Sequence, residues 1–232
     1  EKNIPIQQQQ QQHNNNKQPK LINNMVHLVY FPIAGRGELS RLIAKVGGID
    51  DFSESTEVPD GITAAECGSA GSTPLLIDGD DLKMNESCAI EIYLASIAPK
   101  FASLTAKQRA KDHQFCMLKE TYMGAIGKVL FTDKTDKEGI TAVVDKFFPL
   151  LEGILPSSGF VNGLEDPTVA DLAIVVLCEA YMPFGASYKY GEIDLAVKFP
   201  KLLAHSNRTK AVESVGNAIS ESSTMKAAAF GM

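Results

Sequence analysis

Apolar side chains in the first part of the chain recur at spacings that alternate between those of a strand and those of a helix. The first apolar run predicts a strand that ends at Phe31, and residues 37–46 place their apolar side chains on one face of a helix. That face consists of Leu39, Leu42, Ile43 and Val46. A second strand is predicted around residues 52–58, followed by a loop to Ser72. The order of these elements is β-α-β.

A hairpin and a helix are predicted next. Residues 74–77 and 82–85 flank an Asp-Gly-Asp-Asp turn, which is typical of a β-hairpin. The following helix begins at Ser87 and ends before Pro99. Its apolar stripe is formed by Ile90, Tyr93, Leu94 and Ile97. The order β-α-β and then β-β-α predicts a thioredoxin-like domain.

Beyond Pro99 the strand pattern is absent and helical spacing continues to the end of the chain. Helices are predicted at residues 106–131, 140–152 and 169–181, with two more within residues 193–222. The second of these helices has an apolar face made of Val144, Phe147, Phe148 and Leu151. The third is apolar nearly all round, at Ala173, Val176, Leu177 and Ala180, which predicts a central position. Thr168 and Asp171 form a predicted capping box, so we expect Asp171 to be structural.

The predicted fold class is therefore α/β followed by all-α, in four segments. Residues 1–24 are a Gln/Asn-rich tail, 25–98 a thioredoxin-like domain, 99–103 a linker and 104–232 an all-helical domain. The tail is too polar to form a core, which favours a disordered extension. The alternative is a docking arm for a protein partner.

Composition narrows the class of ligand. The chain has 28 acidic and 22 basic residues and a net charge of -6, which argues against nucleic acid or an anionic membrane and favours a small molecule. Its longest apolar run, residues 172–178, is too short to span a bilayer. The four cysteines lack metal-ligand spacing, so we expect free thiols, no metal and a reducing, cytoplasmic location. Because the chain begins at Glu1, the alternative location is an organelle after removal of a targeting segment.

From Met25 onward the sequence resembles a cytosolic glutathione transferase, nearest to the sigma-like class that uses a tyrosine. The resemblance rests on motifs that occur in the family's order over about nine tenths of the chain. They are Tyr30-Phe31, Gly35-Arg36, Glu38-Leu39, Thr73-Pro74-Leu75, Glu86-Ser87, Ala89-Ile90, Tyr93-Leu94-Ala95, Thr168 to Asp171, and Phe199-Pro200-Lys201-Leu202. The resemblance implies glutathione as co-substrate, a homodimer, and a detoxifying transferase activity.

Tyr30 is the predicted catalytic residue. It lies at the C-terminal end of the first strand, where open α/β sheets place their ligand sites. A hydroxyl that donates to sulfur stabilises the thiolate, and Arg36 would add positive potential. The alternative is a strand-end tyrosine with its ring in the core. Cysteine-using members carry the thiol where this chain has residues 33–36, and Ser40 is a weaker candidate nucleophile.

The resemblance also implies the residues that bind glutathione. They are Phe31, Thr73, Pro74, Glu86 and Ser87. Pro74 is expected to be cis, so that the backbone before it can pair with the cysteinyl part of glutathione. Ser87 would hold the γ-glutamyl carboxylate, and Glu86 its ammonium group. The alternatives are a plain strand-start proline and an ordinary helix cap.

The electrophile pocket is predicted between the two domains. Phe31 and Ile33 would form one wall, and Tyr122, Met123 and Ile126 the other. The alternative for the second wall is ordinary core between helices.

One departure from the family concerns the glycyl carboxylate of glutathione. Between Val46 and Leu82 the chain has no Lys, Arg, Gln or Trp, the residue types that usually meet this carboxylate. Either glutathione binds weakly, or the cation comes from Lys45 or from a residue of a partner subunit.

Two functions follow from these patterns. The first is a glutathione transferase that acts on small apolar electrophiles, with glutathione-dependent isomerase or peroxidase work also allowed. The second is a non-catalytic binding or structural subunit on the same scaffold.

Overall fold

A four-stranded mixed sheet forms the first part of the structure, a computed structural model that describes residues 25–225. The strands are β1 (Val26–Val29), β2 (Phe52–Ser55), β3 (Leu75–Asp78) and β4 (Leu82–Asn85). Their order is β2-β1-β3-β4, with β1 parallel to β2 and antiparallel to β3. The predicted hairpin of β3 and β4 is confirmed, since Asp78 pairs with Leu82. The predicted tail lies outside the described residues.

Two helices pack on this sheet. They are α1 (Glu38–Gly47) and α2 (Ser87–Ile97). The predicted apolar face of α1 is buried throughout, and Gly48 ends the helix in the left-handed region at φ 80°. In α2, Ile90 and Leu94 are buried as expected, whereas Ile97 is exposed.

The second part of the structure is helical. Its helices are α3 (Ala106–Thr132), α4 (Lys137–Ile154), α5 (Val169–Glu179), α6 (Ala186–Gly191), α7 (Leu195–Lys198), α8 (Pro200–Lys210) and α9 (Glu213–Glu221). α5 ends two residues earlier than predicted, and an irregular turn follows it, because Pro183 has no N–H to continue the helix. α7 was not predicted because its four residues are too few to show a helical period.

The core of the helical part surrounds α5. Every residue from Val169 to Leu177 is buried, which confirms the predicted central helix. The predicted apolar face of α4 is buried as well. Among the described residues no single helix is long and apolar enough to cross a membrane. α5 and the segment Tyr181–Gly191, which meet at a bend of 51°, are together long and apolar enough by length and composition alone. α5 itself is buried in the core.

A buried ion pair joins the two parts of the structure. Lys119 on α3 donates to Glu91 on α2, and the two side chains are 1% and 0% exposed. Burial raises the pKa of Glu91, and the adjacent ammonium opposes that change. Each charge therefore depends on the other to remain buried.

A network of polar side chains holds the N-terminus of α5. The Oδ1 of Asp112 accepts from the Thr168 hydroxyl at 2.6 Å, from Asn162 Nδ2 at 2.9 Å and from the Ala170 N–H at 3.1 Å. The Oδ2 of Asp112 is buried without a hydrogen-bond partner among the described residues. Burial raises the pKa of Asp112 to about 6.

Asp171 completes this network, and the predicted capping box is confirmed. Its carboxylate accepts from the Thr168 N–H at 2.8 Å and from the Val161 N–H at 2.9 Å. His205 Nε2 lies 2.7 Å from Asp171 Oδ1, and the Arg208 guanidinium contacts the other ring nitrogen. Asp171 is therefore a structural residue that is fully buried.

Candidate active site

Tyr30 lies directly after β1 and is 8% exposed. Its hydroxyl oxygen accepts a hydrogen bond from the Arg36 N–H at 2.9 Å. Burial raises the pKa of Tyr30 above its ordinary value, although this N–H and the guanidinium groups of Arg36 and Arg41 oppose the change. The phenol is therefore neutral near pH 7, and its own proton is available for donation to a ligand.

Two glycines allow the loop after Pro32 to close over the Tyr30 ring. A Cβ on Gly35 would lie 2.4 Å from the Tyr30 hydroxyl oxygen, and a Cβ on Gly37 would lie 2.5 Å from Tyr30 Cδ1. Gly35 also has a φ of +41°. Both positions therefore require glycine if Tyr30 is to keep this orientation.

Arg41 on α1 holds the same loop from behind. Its Nη1 donates to the Ile33 carbonyl at 2.8 Å and its Nη2 to the Phe31 carbonyl at 3.0 Å. Glu38 accepts a second hydrogen bond from Nη1, and Glu54 accepts one from Nε. Arg41 is only 7% exposed, and these hydrogen bonds pair its charge and fix its geometry.

A small cavity of about 90 Å³ lies beside this loop. It is lined by Arg36, Ser72, Thr73, Pro74, Glu86, Ser87 and Glu120. The peptide bond between Thr73 and Pro74 is cis, as the resemblance implied. Four of the five predicted glutathione-binding residues are thus brought together here: Thr73, Pro74, Glu86 and Ser87.

The junction of β4 and α2 has a strained backbone. Glu86 has a φ of 71°, which is unusual for a residue with a side chain, and Ser87 is the first residue of α2. Both residues line the small cavity. Backbone strain of this kind is concentrated at functional sites, where the surrounding structure enforces it.

Glu120, on α3, was not predicted as a site residue. Its carboxylate accepts from Arg36 Nε at 2.6 Å and from the Ser87 hydroxyl at 3.1 Å. It thereby links the helical part of the structure to the hydroxyl that was expected to hold the carboxylate of glutathione.

A larger cavity of about 370 Å³ adjoins the same loop. It is lined by Tyr30, Ile33, Gly35, Arg36, Met123, Gly124, Gly127, Lys128, Phe131, Thr132, Met182 and Pro183. Arg36 lines both cavities, and Tyr30 lines the larger one. A ligand that extends from the small cavity into the larger one would therefore pass Arg36 and the Tyr30 hydroxyl.

The structure brings one of the three residues of the predicted electrophile wall on α3 to the larger cavity. Met123 lines the larger cavity, but Tyr122 and Ile126 are fully buried in the helical core. Tyr122 stacks on Phe184, with ring centroids 5.5 Å apart, and its hydroxyl lies 3.3 Å from Ser187 Oγ. Tyr122 and Ile126 are four residues apart and share the stripe that faces the core, which is the alternative weighed from the sequence.

Phe31 does not line either cavity. Its side chain is 49% exposed, and its ring centroid lies 5.6 Å from that of Tyr30. Since neighbouring residues of an extended chain point to opposite sides, Phe31 faces solvent when Tyr30 faces inward. The structure therefore does not place Phe31 against glutathione or on the electrophile wall.

The other candidates from the sequence lie away from these cavities. Lys45 lies 3.4 Å from Glu221, in a groove between α1 and the residues after α9. Ser40 is fully buried. The four cysteines are free thiols, and burial raises the pKa of Cys88 to about 11. Within residues 25–225, no group of three or more His, Cys, Asp or Glu side chains could hold a metal ion.

Most of the lining residues missed from the sequence lie on α3. Glu120, Met123, Gly127 and Phe131 recur every three or four residues, so they share one face of the helix. Extending this stripe from Met123 would have identified them. Met182 and Pro183 carry no comparable signal, because they follow α5 in an irregular turn.

Comparison with known proteins agrees with this architecture. No protein-family model matches the sequence, and no curated protein matches it. Among solved structures, a glutathione S-transferase from Caenorhabditis elegans is 26% identical, with a TM-score of 0.65 over 86% of this chain and 98% of that one. The glutathione S-transferase from Ascaris lumbricoides is 23% identical, with a TM-score of 0.65 over 88% of this chain and 100% of that one.

A Nu-class glutathione S-transferase from Haemonchus contortus is 20% identical, with a TM-score of 0.64 over 88% of this chain and 100% of that one. These similarities extend over the sheet and the helical part alike. The chain therefore has the fold of the glutathione S-transferases.

Proposed function

We propose that this protein is a glutathione transferase that joins the thiolate of glutathione to small apolar electrophiles. The observation that carries the proposal is the position of Tyr30 and Arg36. Tyr30 lines the larger cavity with its hydroxyl held by the Arg36 N–H, and Arg36 also lines the small cavity. The sulfur of a glutathione bound in the small cavity would lie between Tyr30 and Arg36.

Tyr30 would act by stabilising the thiolate. A thiol with a pKa near 8.5 is only a few per cent ionised at neutral pH. A hydrogen bond to a charged group contributes about 1.5–3 kcal/mol, which corresponds to a pKa lower by about one to two units. The Tyr30 oxygen already accepts from the Arg36 N–H, so the phenol proton is directed to the ligand.

The rest of glutathione would occupy the small cavity. The γ-glutamyl carboxylate would replace Glu120 as the acceptor of the Ser87 hydroxyl, and Glu86 would attract the ammonium group. The backbone at Thr73 would pair with the cysteinyl part. For the glycyl carboxylate, we propose that a second subunit of a homodimer supplies the cation.

The reaction itself is a substitution at carbon. With an aryl chloride, the thiol first loses its proton to solvent, and the thiolate then attacks the carbon that bears chlorine. A C–S bond forms, the C–Cl bond breaks, and chloride leaves with the electron pair. Holding both reactants in one site reduces the entropy cost of this step. The same thiolate also permits glutathione-dependent isomerase or peroxidase reactions.

The test compares the wild-type protein with Tyr30→Phe. We measure retention on immobilised glutathione and kcat/KM for conjugation of a neutral aryl chloride over a range of pH. We expect the variant to bind glutathione and to lose activity by about 10–100-fold. Its pH-rate profile should shift upward by about one to two units, because the thiol would regain its ordinary pKa.

Two results would contradict the proposal. Absence of glutathione binding by the wild-type protein would favour the non-catalytic subunit. Equal activity and equal pH profiles in the two proteins would show that Tyr30 does not stabilise the thiolate.

A further inference from the structure

The larger cavity combines apolar walls with positive charge. Its apolar side chains are Ile33, Met123, Phe131, Met182 and Pro183. Arg36 and Lys128 also line it, and no carboxylate is among its described lining residues. A purely apolar electrophile would leave Lys128, the cation that the proposed thiolate site does not use, without an anionic partner.

The two cations differ in their partners. Arg36 Nε lies 2.6 Å from Glu120, so its charge is balanced. Within residues 25–225, Lys128 takes part in no ion pair with a carboxylate. In a protein with a net charge of -6, an unpaired cation beside an apolar cavity is a local feature that a ligand can recognise.

The position of Lys128 along α3 sets the shape of such a ligand. Lys128 follows Glu120, the partner of Arg36, by eight residues, which is about 12 Å along the helix axis. Between them, a Cβ on Gly124 would meet open space, so no other part of the described structure covers the helix surface there. The cavity thus has a reactive end at Tyr30 and Arg36 and a cationic end at Lys128.

We infer that this cavity takes an apolar electrophile that carries an anionic group, with Lys128 as the counter-ion of that group. The inference rests on the proposed function, because it names the substrate class for the same site. The reacting carbon would lie at the Tyr30 end and the anionic group at the opposite end of the ligand.

The experiment uses a matched pair of ligands. A chlorodinitrobenzoate and the chlorodinitrobenzamide of the same substitution pattern differ in charge but hardly in size. The two ligands differ in intrinsic reactivity. We therefore compare the benzoate-to-benzamide ratio of kcat/KM between protein variants, because the intrinsic difference is the same in every variant and cancels. The unreactive dinitrobenzoate and dinitrobenzamide, which lack chlorine, are measured by calorimetric titration in the same proteins.

Four proteins are compared: wild type, Lys128→Gln, Lys128→Arg and Lys107→Gln. Lys107 is exposed on the same helix, 21 residues from Lys128, which is about 30 Å along the axis. We expect Lys128→Gln to lower the benzoate-to-benzamide ratio by about 3–10-fold in both turnover and binding. Lys128→Arg and Lys107→Gln should retain the wild-type ratio.

The outcomes separate this inference from the proposed function. Turnover of both ligands with a ratio that Lys128→Gln leaves unchanged would overturn the inference and leave the transferase. A charge preference in binding that depends on Lys128, without turnover, would support the inference and overturn the transferase. An equal change in Lys107→Gln would overturn the inference, because the preference would then come from net charge.

Discussion

Asp112 offers a quantitative test of the network beneath α5. Burial raises the pKa of Asp112 from 3.8 to about 6, because the desolvation of the carboxylate outweighs the stabilisation by its three hydrogen bonds. Between these two pKa values the folded state holds more protons than the unfolded state. The contribution of Asp112 to the free energy of unfolding therefore falls as pH rises from about 4 to about 6 and is then constant.

The magnitude follows from the difference between the two pKa values. A difference of about two units corresponds to a cost of about 3 kcal/mol once Asp112 is fully charged. About 1 kcal/mol of this cost is already present at about pH 4.5, so about 2 kcal/mol develops between about pH 4.5 and about pH 7.5. Asp112→Asn removes this dependence, because the amide does not titrate.

The assay is urea unfolding followed by far-ultraviolet circular dichroism, since the chain has no tryptophan. The new amide N–H₂ would replace Oδ2, which has no partner among the described residues, at a cost of about 1–3 kcal/mol. That cost does not vary with pH and cancels in the comparison. Relative to wild type, Asp112→Asn should therefore become more stable by about 2 kcal/mol between about pH 4.5 and about pH 7.5.

Asp81→Asn is the control, because Asp81 is an exposed carboxylate in the hairpin turn. A difference between wild type and Asp112→Asn that stays constant with pH would refute the reasoning. So would a difference of the opposite sign, which would mean that the hydrogen bonds outweigh burial.

Two further substitutions test the candidate site and the junction between the sheet and the helical part of the structure. Gly37→Ala should lower kcat/KM by at least about 10-fold, because the new Cβ displaces Tyr30 from its hydrogen bond. The control is Gly153→Ala, whose Cβ meets open space and which should keep full activity; equal activities of the two variants would contradict the prediction. Lys119→Met should cost about 3–5 kcal/mol in urea unfolding because it leaves Glu91 buried and unpaired, whereas Lys119→Met with Glu91→Leu should recover most of that loss. Equal stabilities of the single and double variants would show that the buried charge is not the cause.

The elements of this fold could be predicted because each depends on neighbours in sequence. The face of α1 at Leu39 and Leu42, and the apolar circumference of α5, follow from a 3.6-residue period. The hairpin turn at Asp78 follows from turn chemistry. Residues 182–191, which include α6, were missed because Pro183 breaks the period, and α7 because it is too short.

The candidate site was partly predictable for the same reason. Thr73, Pro74, Glu86 and Ser87 belong to local motifs at strand and helix ends, and the structure brings them together at one cavity. Tyr122 and Ile126 were misplaced because a long helix has two buried faces, and periodicity does not show which one meets the other domain.

The sequence by itself determined most of the strands and helices and the loop that follows Tyr30, since backbone propensity and side-chain spacing act over a few residues. Only the tertiary structure decided that Glu120 reaches Arg36 and Ser87, that Lys128 joins the larger cavity, and that Phe31 lies outside it. These contacts join elements far apart in sequence, and their geometry depends on how α3 packs against the sheet domain, which no local pattern encodes.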